Sequence, residues 1–102
     1  MIYVIAQLKL KPGTSDRACA EARKVVEGTV KEDGCLFYDF NLSVTDPTRL
    51  VAIERWESKE ALALGIRARH ATEGRFGPIG KYVLLPAQER AVARNLARAN
   101  KP

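Results

Sequence analysis

Three residues of this chain have side chains suited to chemistry: Glu54, Trp56 and His70. His70 is the only histidine, and histidine is the residue that ordinarily titrates near neutral pH. Together the set could supply a general base, a carboxylate that orients it, and an aromatic wall for a pocket. Each residue also has a purely structural interpretation: a buried histidine with a satisfied hydrogen bond, a half-buried carboxylate in an ion pair, and a core tryptophan.

Residues 50–56 have to position the carboxylate and the indole, and their pattern is that of a strand. Side chains alternate along a strand. One face carries Leu50, Ala52, Glu54 and Trp56, and the other carries Val51, Ile53 and Arg55. The strand is therefore apolar on both faces, and the face that holds Glu54 beside Trp56 is the one we expect any site to use.

A helix is predicted to follow this strand directly. Ser58 has the chemistry of an N-cap, and Glu60 lies in the first turn, where the helix dipole favours a negative charge. Leu62, Ile66 and His70 recur at intervals of four residues and so form one stripe of the helix. We therefore expect His70 to face the sheet near Glu54 and Trp56.

The remaining elements complete an α+β pattern of the order β-α-β-β-α-β. Strands are predicted at residues 1–10, 36–43 and 81–85, with Pro86 closing the last of them. An earlier helix is capped by Thr14 or Ser15 and stopped by Asp33-Gly34, and its Gly28 is expected to make a close packing contact. This is the ferredoxin-like arrangement of an antiparallel sheet with two helices on one face.

A basic tail is predicted beyond this unit. The domain spans residues 1–86, and residues 87–102 form an extra C-terminal helix or tail in which Arg90, Arg94 and Arg98 make a basic row. Residues 65–102 hold eight Lys/Arg and two Asp/Glu, so the net charge of +5 belongs to this third of the chain. No aromatic and basic residues interleave as in nucleic-acid binding, so we expect a solvated face and no nucleic-acid partner.

The second face of the predicted sheet is apolar and has to be buried. Two helices cover one face, and the other face of an isolated antiparallel sheet is usually polar. Three strands of this chain are apolar on both faces, and a large exposed apolar patch marks an interface. A symmetric homodimer that joins two sheets is the simplest solution.

Composition favours a cytoplasmic protein with no membrane segment. No run approaches the roughly 20 apolar residues that a membrane span needs, and the N-terminal segment lacks the pattern of a signal peptide. Cys19 and Cys35 have no metal-ligand spacing and are expected to be reduced, packed thiols. One histidine without nearby thiolates or paired carboxylates is too small a ligand set for a metal, so none is predicted.

The architecture, the opening MIYVIAQLKLKPG, the turn DGCLFY and the segment ERWESKEAL together resemble the antibiotic biosynthesis monooxygenase (ABM) domain family, over about residues 1–70. The resemblance implies a dimeric α+β barrel. The family includes oxygenases of quinols and polyketides that work without flavin, metal or haem. The resemblance therefore implies a cofactor-independent monooxygenase of a quinol or polyphenol. His70 would be the base, oriented by Glu54, and Trp56, Tyr38 and Phe40 would line the substrate pocket.

Several positions depart from the pattern of the family. Members commonly carry one histidine nine residues after the tryptophan and another five residues later, and here Gly65 stands at the first position and His70 at the second. Ala52 and Gln7 stand where the polyketide oxygenases and the haem degraders of the family have asparagines. The alternative is therefore a non-catalytic dimeric domain that binds small molecules or is associated with stress, with haem handling as a third possibility.

Overall fold

The computed structural model describes the backbone of residues 1–70 and 77–93 and the side chains of residues 1–66 and 77–84. Within these ranges the strands are β1 (Ile2–Leu10), β2 (Cys35–Leu42), β3 (Arg49–Trp56) and β4 (Val83–Ala93), and the helices are α1 (Ser15–Thr29) and α2 (Lys59–His70). A 3-10 helix, Gly77–Tyr82, leads into β4. The strands form one antiparallel sheet in the order β2-β3-β1-β4. The predicted ferredoxin-like α+β fold is confirmed.

The core lies on one side of the sheet, which we call the inner face. It consists of every second residue of β1 and β3: Ile2, Val4, Ala6, Leu8, Leu10, Leu50, Ala52, Glu54 and Trp56, all buried. Helix α1 covers this face with Ala18, Ala22 and Val25, which recur at helical spacing. Each large apolar side chain removed from water here contributes about 1.5–3 kcal/mol, so this face provides most of the stability of the fold.

The opposite side of the sheet, the outer face, is also apolar. Ile5 of β1 lies opposite Ile53 of β3 in the strand register, and Phe37 of β2 lies opposite Arg55. Ile5, Ile53 and Phe37 remain 42%, 39% and 44% exposed. The guanidinium carbon of Arg55 lies 5.9 Å from the centre of the Phe37 ring. A sheet with apolar residues on both sides, as predicted from the sequence, is therefore present.

Strand β4 corrects the prediction for the end of the chain. It runs through Pro86 to Ala93, so Pro86 does not close a strand and the predicted helix is wrong for residues 87–93. β4 is an edge strand, and its register with β1 shifts between Gln7 and Lys9, opposite Gln88 and Leu84. Proline is tolerated at such an edge irregularity because it needs no ladder partner there. Arg90 is thus a strand residue paired with Ile5, and Arg94 and Arg98 lie outside the described residues.

Two turns fix the position of α2. The Ser58 hydroxyl oxygen accepts the backbone N–H of Ala61 at 3.1 Å, which confirms the predicted N-cap. Gly34, at φ 81°, turns the chain into β2, and its carbonyl accepts the N–H of Glu57 at 2.8 Å. A side chain on Gly34 would also overlap the Ala61 side chain. The start of α2 is therefore packed against the turn at Gly34 that precedes β2.

The first helix begins where the sequence predicts, although its cap differs. Thr14 occupies the N-cap position without a capping hydrogen bond, and its hydroxyl instead donates to the carbonyl of Lys11 at 2.7 Å. Nothing lies within 4 Å of a Cβ built on Gly28, so the predicted close packing at that glycine is wrong. Cys19 and Cys35 are free thiols, as predicted.

Candidate functional site

Glu54 and Trp56 form a buried hydrogen-bonded pair on the inner face. The indole Nε1–H of Trp56 donates to Glu54 Oε1 at 2.9 Å, and both residues are fully buried. The prediction that Glu54 would be only half-buried is wrong, because Glu54 lies on the inner face of β3 and points into the core. A hydrogen bond inside a folded protein contributes about 0.5–1.5 kcal/mol, and this one holds the indole in one orientation.

Tyr38 and Phe40 lie beside this pair on the same face. In the strand register Tyr38 is opposite Glu54, and Phe40 is opposite Ala52. The two rings meet edge to face, with their centres 5.6 Å apart and their planes at 75°, which is a favourable geometry for aromatic pairs. Glu54, Trp56, Tyr38 and Phe40 thus form one cluster, which we call the aromatic cluster.

Helix α2 approaches the aromatic cluster through Gly65, which is buried. A Cβ at this position would lie 2.9 Å from Trp56 Cη2 and 2.5 Å from Glu32 Oε1. Only a residue without a side chain permits this approach. Gly65 is thus a packing residue of the site, which the sequence pattern did not identify, and a glycine inside a helix is the signal that could have found it.

The position of His70 is described only by its backbone. It is the last residue of α2, and its side chain lies outside the described residues. Leu62 packs against the core, and Ile66 is half-buried. The interval of four residues that relates these two continues to position 70, so the orientation of His70 toward the sheet stays a prediction.

A cleft of about 260 Å³ opens elsewhere on the inner face, between α1 and the end of β2. Phe40 and Leu50 border it, whereas Trp56, Glu54 and Tyr38 are not among its lining residues. Of the predicted pocket residues, only Phe40 therefore reaches this opening. The rest of the aromatic cluster is closed off from solvent, since Tyr38 is 2% exposed and Trp56 is 0% exposed.

No set of three histidine, cysteine, aspartate or glutamate side chains that could hold a metal ion is found among the described residues. None of the helices in the described part of the chain is long and apolar enough to cross a membrane.

Several solved structures are similar to this chain in fold and sequence. One solved structure, described as an antibiotic biosynthesis monooxygenase, is 29% identical in sequence, and the match covers 93% of this chain and 99% of that one with a TM-score of 0.76. A protein from Pseudomonas aeruginosa is 26% identical over 92% of this chain and 93% of its own, with a TM-score of 0.73. A conserved protein from Methanosarcina mazei shares the fold at 22% identity, with 92% of each chain covered and a TM-score of 0.80. No curated protein matches the chain.

The sequence profile of one family, described as antibiotic biosynthesis monooxygenase, matches residues 1–64. That segment contains β1, α1, β2, β3 and the first half of α2, and therefore the whole aromatic cluster. The match covers more than half of the chain and agrees with the fold and with the ERWESKEAL segment that carries Glu54 and Trp56. The chain belongs to the antibiotic biosynthesis monooxygenase family.

Proposed function

We propose that this ABM domain is a cofactor-independent monooxygenase that oxidises a quinol or another polyphenol with O2. The observation that carries the proposal is the aromatic cluster, in which the carboxyl group of Glu54 is held against the only tryptophan inside a largely apolar core. Buried ionisable groups of this kind gather at functional sites more often than elsewhere. Membership of the family supports the same reaction class.

The proposed chemistry needs no external reductant. A dihydroxyarene that takes up one O2 and yields a hydroxyquinone and one water is balanced, because the ring supplies every electron. The protein has to remove a phenolic proton, exclude water and stabilise the developing anion. We assign proton removal to His70, the aromatic wall to Trp56, Tyr38 and Phe40, and the fixed orientation of the indole to Glu54.

Oxygen uptake tests this proposal. In a sealed oxygen-electrode cell, the purified chain is expected to consume O2 with at least one member of a panel of quinols and polyphenols. His70→Ala should lower that rate about 100-fold, the usual contribution of a positioned acid–base group. Leu64→Ala is the matched control, since Leu64 lies on the same helix and is 62% exposed. Uptake that never exceeds the protein-free rate, or that is equal in both variants, would contradict the assignment.

A second candidate function, binding without turnover, is favoured by two observations at the site. Gly65 packs directly on the indole, and the open cleft lies away from Trp56. A domain of this kind would keep the family fold and hold a small molecule without reacting with it. Saturable binding of an aromatic ligand with no accompanying O2 uptake would favour this alternative over the oxygenase.

We also propose that the chain works as a homodimer in which two outer faces pack together. Ile5 and Ile53 lie on the two middle strands of the sheet, with Phe37 at one side. A contiguous apolar patch at the centre of a sheet is typical of an isologous interface. Each inner face, with its aromatic cluster, would then lie on the side of the sheet away from the partner.

A further inference from the structure

The outer face carries a row of four residues, one from each strand, with opposite charges at its two ends. In the strand register Asp39 of β2 lies opposite Ile53 of β3. Ile53 in turn lies opposite Ile5 of β1, and Ile5 lies opposite Arg90 of β4. Residues opposite each other in a sheet share a face, and the strand order is β2-β3-β1-β4. This set, which we call the charged row, therefore begins with a carboxylate at one edge of the sheet and ends with an arginine at the other.

The two charges of this row are too far apart to pair within one chain. Neighbouring strands lie about 4.8 Å apart, so three strand spacings separate the backbones of Asp39 and Arg90 by about 14 Å. Ile53 and Ile5 lie between them. Among the described residues, no cation lies within ion-pair distance of the Asp39 carboxylate. An ion pair between the two ends of the row therefore has to join two chains.

Arg55, in the next row along β3, is a donor without an acceptor. Its Nε is shielded from water and has no hydrogen-bond partner in the described part of the chain. Arg55 lies opposite Phe37 on one side and Tyr3 on the other, and its guanidinium carbon is 5.9 Å from the centre of the Phe37 ring. A buried donor that stays unpaired costs free energy. A second surface that brings an acceptor to this row would remove that cost.

We propose that the homodimer, whose existence this inference takes from the proposed function, has its twofold axis along the strands, midway between β1 and β3. Rotation about such an axis exchanges the two edges of the sheet, so β2 of each protomer lies over the partner's β4. The facing pairs are then Asp39 with the partner's Arg90, Ile53 with the partner's Ile5, and Arg55 with the partner's Tyr3. The charged row is thus complementary to its own copy, and the dimer contains two symmetry-related ion pairs.

The partner's Tyr3 supplies what Arg55 lacks. A tyrosine hydroxyl accepts a hydrogen bond, and the face of its ring attracts a guanidinium. Arg55 and Tyr3 lie on the two middle strands, next to the axis, where facing residues stay in register. The same rotation that pairs the two edges therefore also provides the missing acceptor.

The charges disfavour the other arrangement of two aligned sheets, in which the axis runs across the strands along the charged row. That axis places β2 over the partner's β2 and β4 over the partner's β4. Asp39 would then face the partner's Asp39, and Arg90 would face the partner's Arg90. Like charges that face each other across an interface are unfavourable. The charged row therefore selects the axis along the strands.

The dimensions of packed sheets permit the two ion pairs. Face-to-face sheets lie about 10 Å apart, a gap that an arginine and an aspartate bridge from opposite sides. Aligned sheets are rotated by about 30°, and each end of the charged row lies about 7 Å from the axis. The rotation therefore displaces facing ends by about 4 Å, which the long side chain of an arginine accommodates.

The cations at the far end of this face are engaged elsewhere. Lys9 and Arg49 lie opposite each other there. Lys9 Nζ is 3.9 Å from Asp46 Oδ2, and Arg49 donates to the Ser43 hydroxyl at 3.1 Å. Both side chains are directed to the loop between β2 and β3, so they do not compete for the carboxylate of Asp39.

Neutralising either charge tests the arrangement, with the Kd of the dimer measured by sedimentation equilibrium. Asp39→Asn, whose amide oxygen still accepts the Phe40 N–H, and Arg90→Gln should each weaken the dimer several-fold, because each removes two ion pairs. Glu27→Gln and Arg17→Gln are matched controls, since both residues are exposed on α1, and should leave Kd unchanged. With the axis across the strands, either neutralisation would instead remove a repulsion. An unchanged or tighter dimer would therefore overturn the proposal.

Reversing the charges gives a sharper test, because mixing can undo its effect. Asp39→Arg and Arg90→Asp should each form dimers at least tenfold weaker than those of wild type, since like charges then face each other twice. An equimolar mixture of the two variants should recover the wild-type affinity, because both facing pairs of the mixed dimer again have opposite charges. Two variants that are folded by circular dichroism and yet fail to dimerise when mixed would overturn the pairing.

The outcomes separate this arrangement from the homodimer on which it rests. A wild-type chain that stays monomeric would overturn both. A wild-type dimer whose Kd is raised by none of the charge variants would overturn the axis along the strands and leave the homodimer standing.

Discussion

Gly65 lies where the indole of Trp56 meets α2, and its missing side chain permits that contact. A Cβ would come within 2.9 Å of the ring carbon Cη2, closer than such atoms approach in well-packed cores. The tryptophan ring thus leaves no room for a side chain at position 65 without a shift of the ring.

Gly65→Ala and Gly28→Ala should change stability in opposite directions. The added methyl group at Gly65 overpacks the core against Trp56, which costs about 1–3 kcal/mol and exceeds the gain in helix propensity. Nothing lies within 4 Å of the same methyl group at Gly28, so that variant gains up to about 1 kcal/mol. Urea unfolding followed by tryptophan fluorescence gives both free energies. Stabilisation by both substitutions would mean that α2 does not press on the indole.

The sequence predicted part of the aromatic cluster and missed the rest for a physical reason. Alternation along a strand placed Glu54 with Trp56 and Tyr38 with Phe40, because that period depends on the backbone alone. The contact at Gly65 and the depth of Glu54 depend on how closely α2 and the neighbouring strands approach. Hydrophobic spacing carries no information on that distance, and it equally failed to show that Gly28 faces open space.

Hydrogen bonds to Asp46 stabilise the loop between β2 and β3. Asp46 Oδ1 accepts the Thr48 hydroxyl at 2.6 Å and the Thr48 N–H at 2.9 Å, and Lys9 Nζ lies 3.9 Å from Oδ2. The hydroxyl of Thr48 is the main cause of a lowered pKa for Asp46, with smaller contributions from its N–H, Lys9 and Arg49. The ionised carboxylate therefore stabilises the loop that sets the β2–β3 register.

The pH dependence of an Asp46→Asn variant should show this contribution. Because the pKa of Asp46 is lower in the folded chain than its ordinary value of 3.8, the stabilisation is complete above that value and is lost as the pH falls through the folded pKa. The gap in Tm between wild type and variant should thus be constant above about pH 5 and shrink toward pH 3. Thr48→Val removes the hydroxyl that is the main cause of the lowered pKa of Asp46. In the Thr48→Val background, the difference in Tm caused by Asp46→Asn should therefore be smaller. A gap independent of pH would contradict the role of the charge.

Strand β4 forms although the intrinsic helix propensity of its residues favours a helix. Residues 87–100 are rich in alanine and arginine, which are good helix formers, and the sequence accordingly predicted a helix. Pairing with β1 as far as Ile2 and Ala93 outweighs that preference over the first half of the segment. Without β4, the backbone N–H and C=O groups along one edge of β1 would lack partners, which costs free energy. This cost depends on the whole sheet, so it cannot be predicted from a short segment of sequence.

The two faces of the sheet differ in what covers them. The inner face holds the helices, the aromatic cluster and the cleft beside α1, whereas Ile5, Ile53 and Phe37 on the outer face are exposed to solvent. The sequence predicted this two-sided apolar character correctly, because alternation assigns residues to faces whatever covers them. Which molecule covers the outer face is not encoded in that pattern, and dimerisation is therefore a prediction that measurement has to test.

Ile53→Asp should convert the proposed dimer into a monomer. Ile53 lies on a middle strand, opposite Ile5 on one side and Asp39 on the other, so a carboxylate there would be buried at the centre of a face-to-face interface. Desolvation of such a charge costs several kcal/mol, and about 1.4 kcal/mol changes a dissociation constant tenfold.

Leu64→Asp is the control, since Leu64 is exposed on α2. Sedimentation velocity at micromolar concentration should give a dimer for wild type and Leu64→Asp and a monomer for Ile53→Asp. A folded wild-type monomer under those conditions would show that the outer face tolerates water, and the sheet-to-sheet dimer would have to be abandoned.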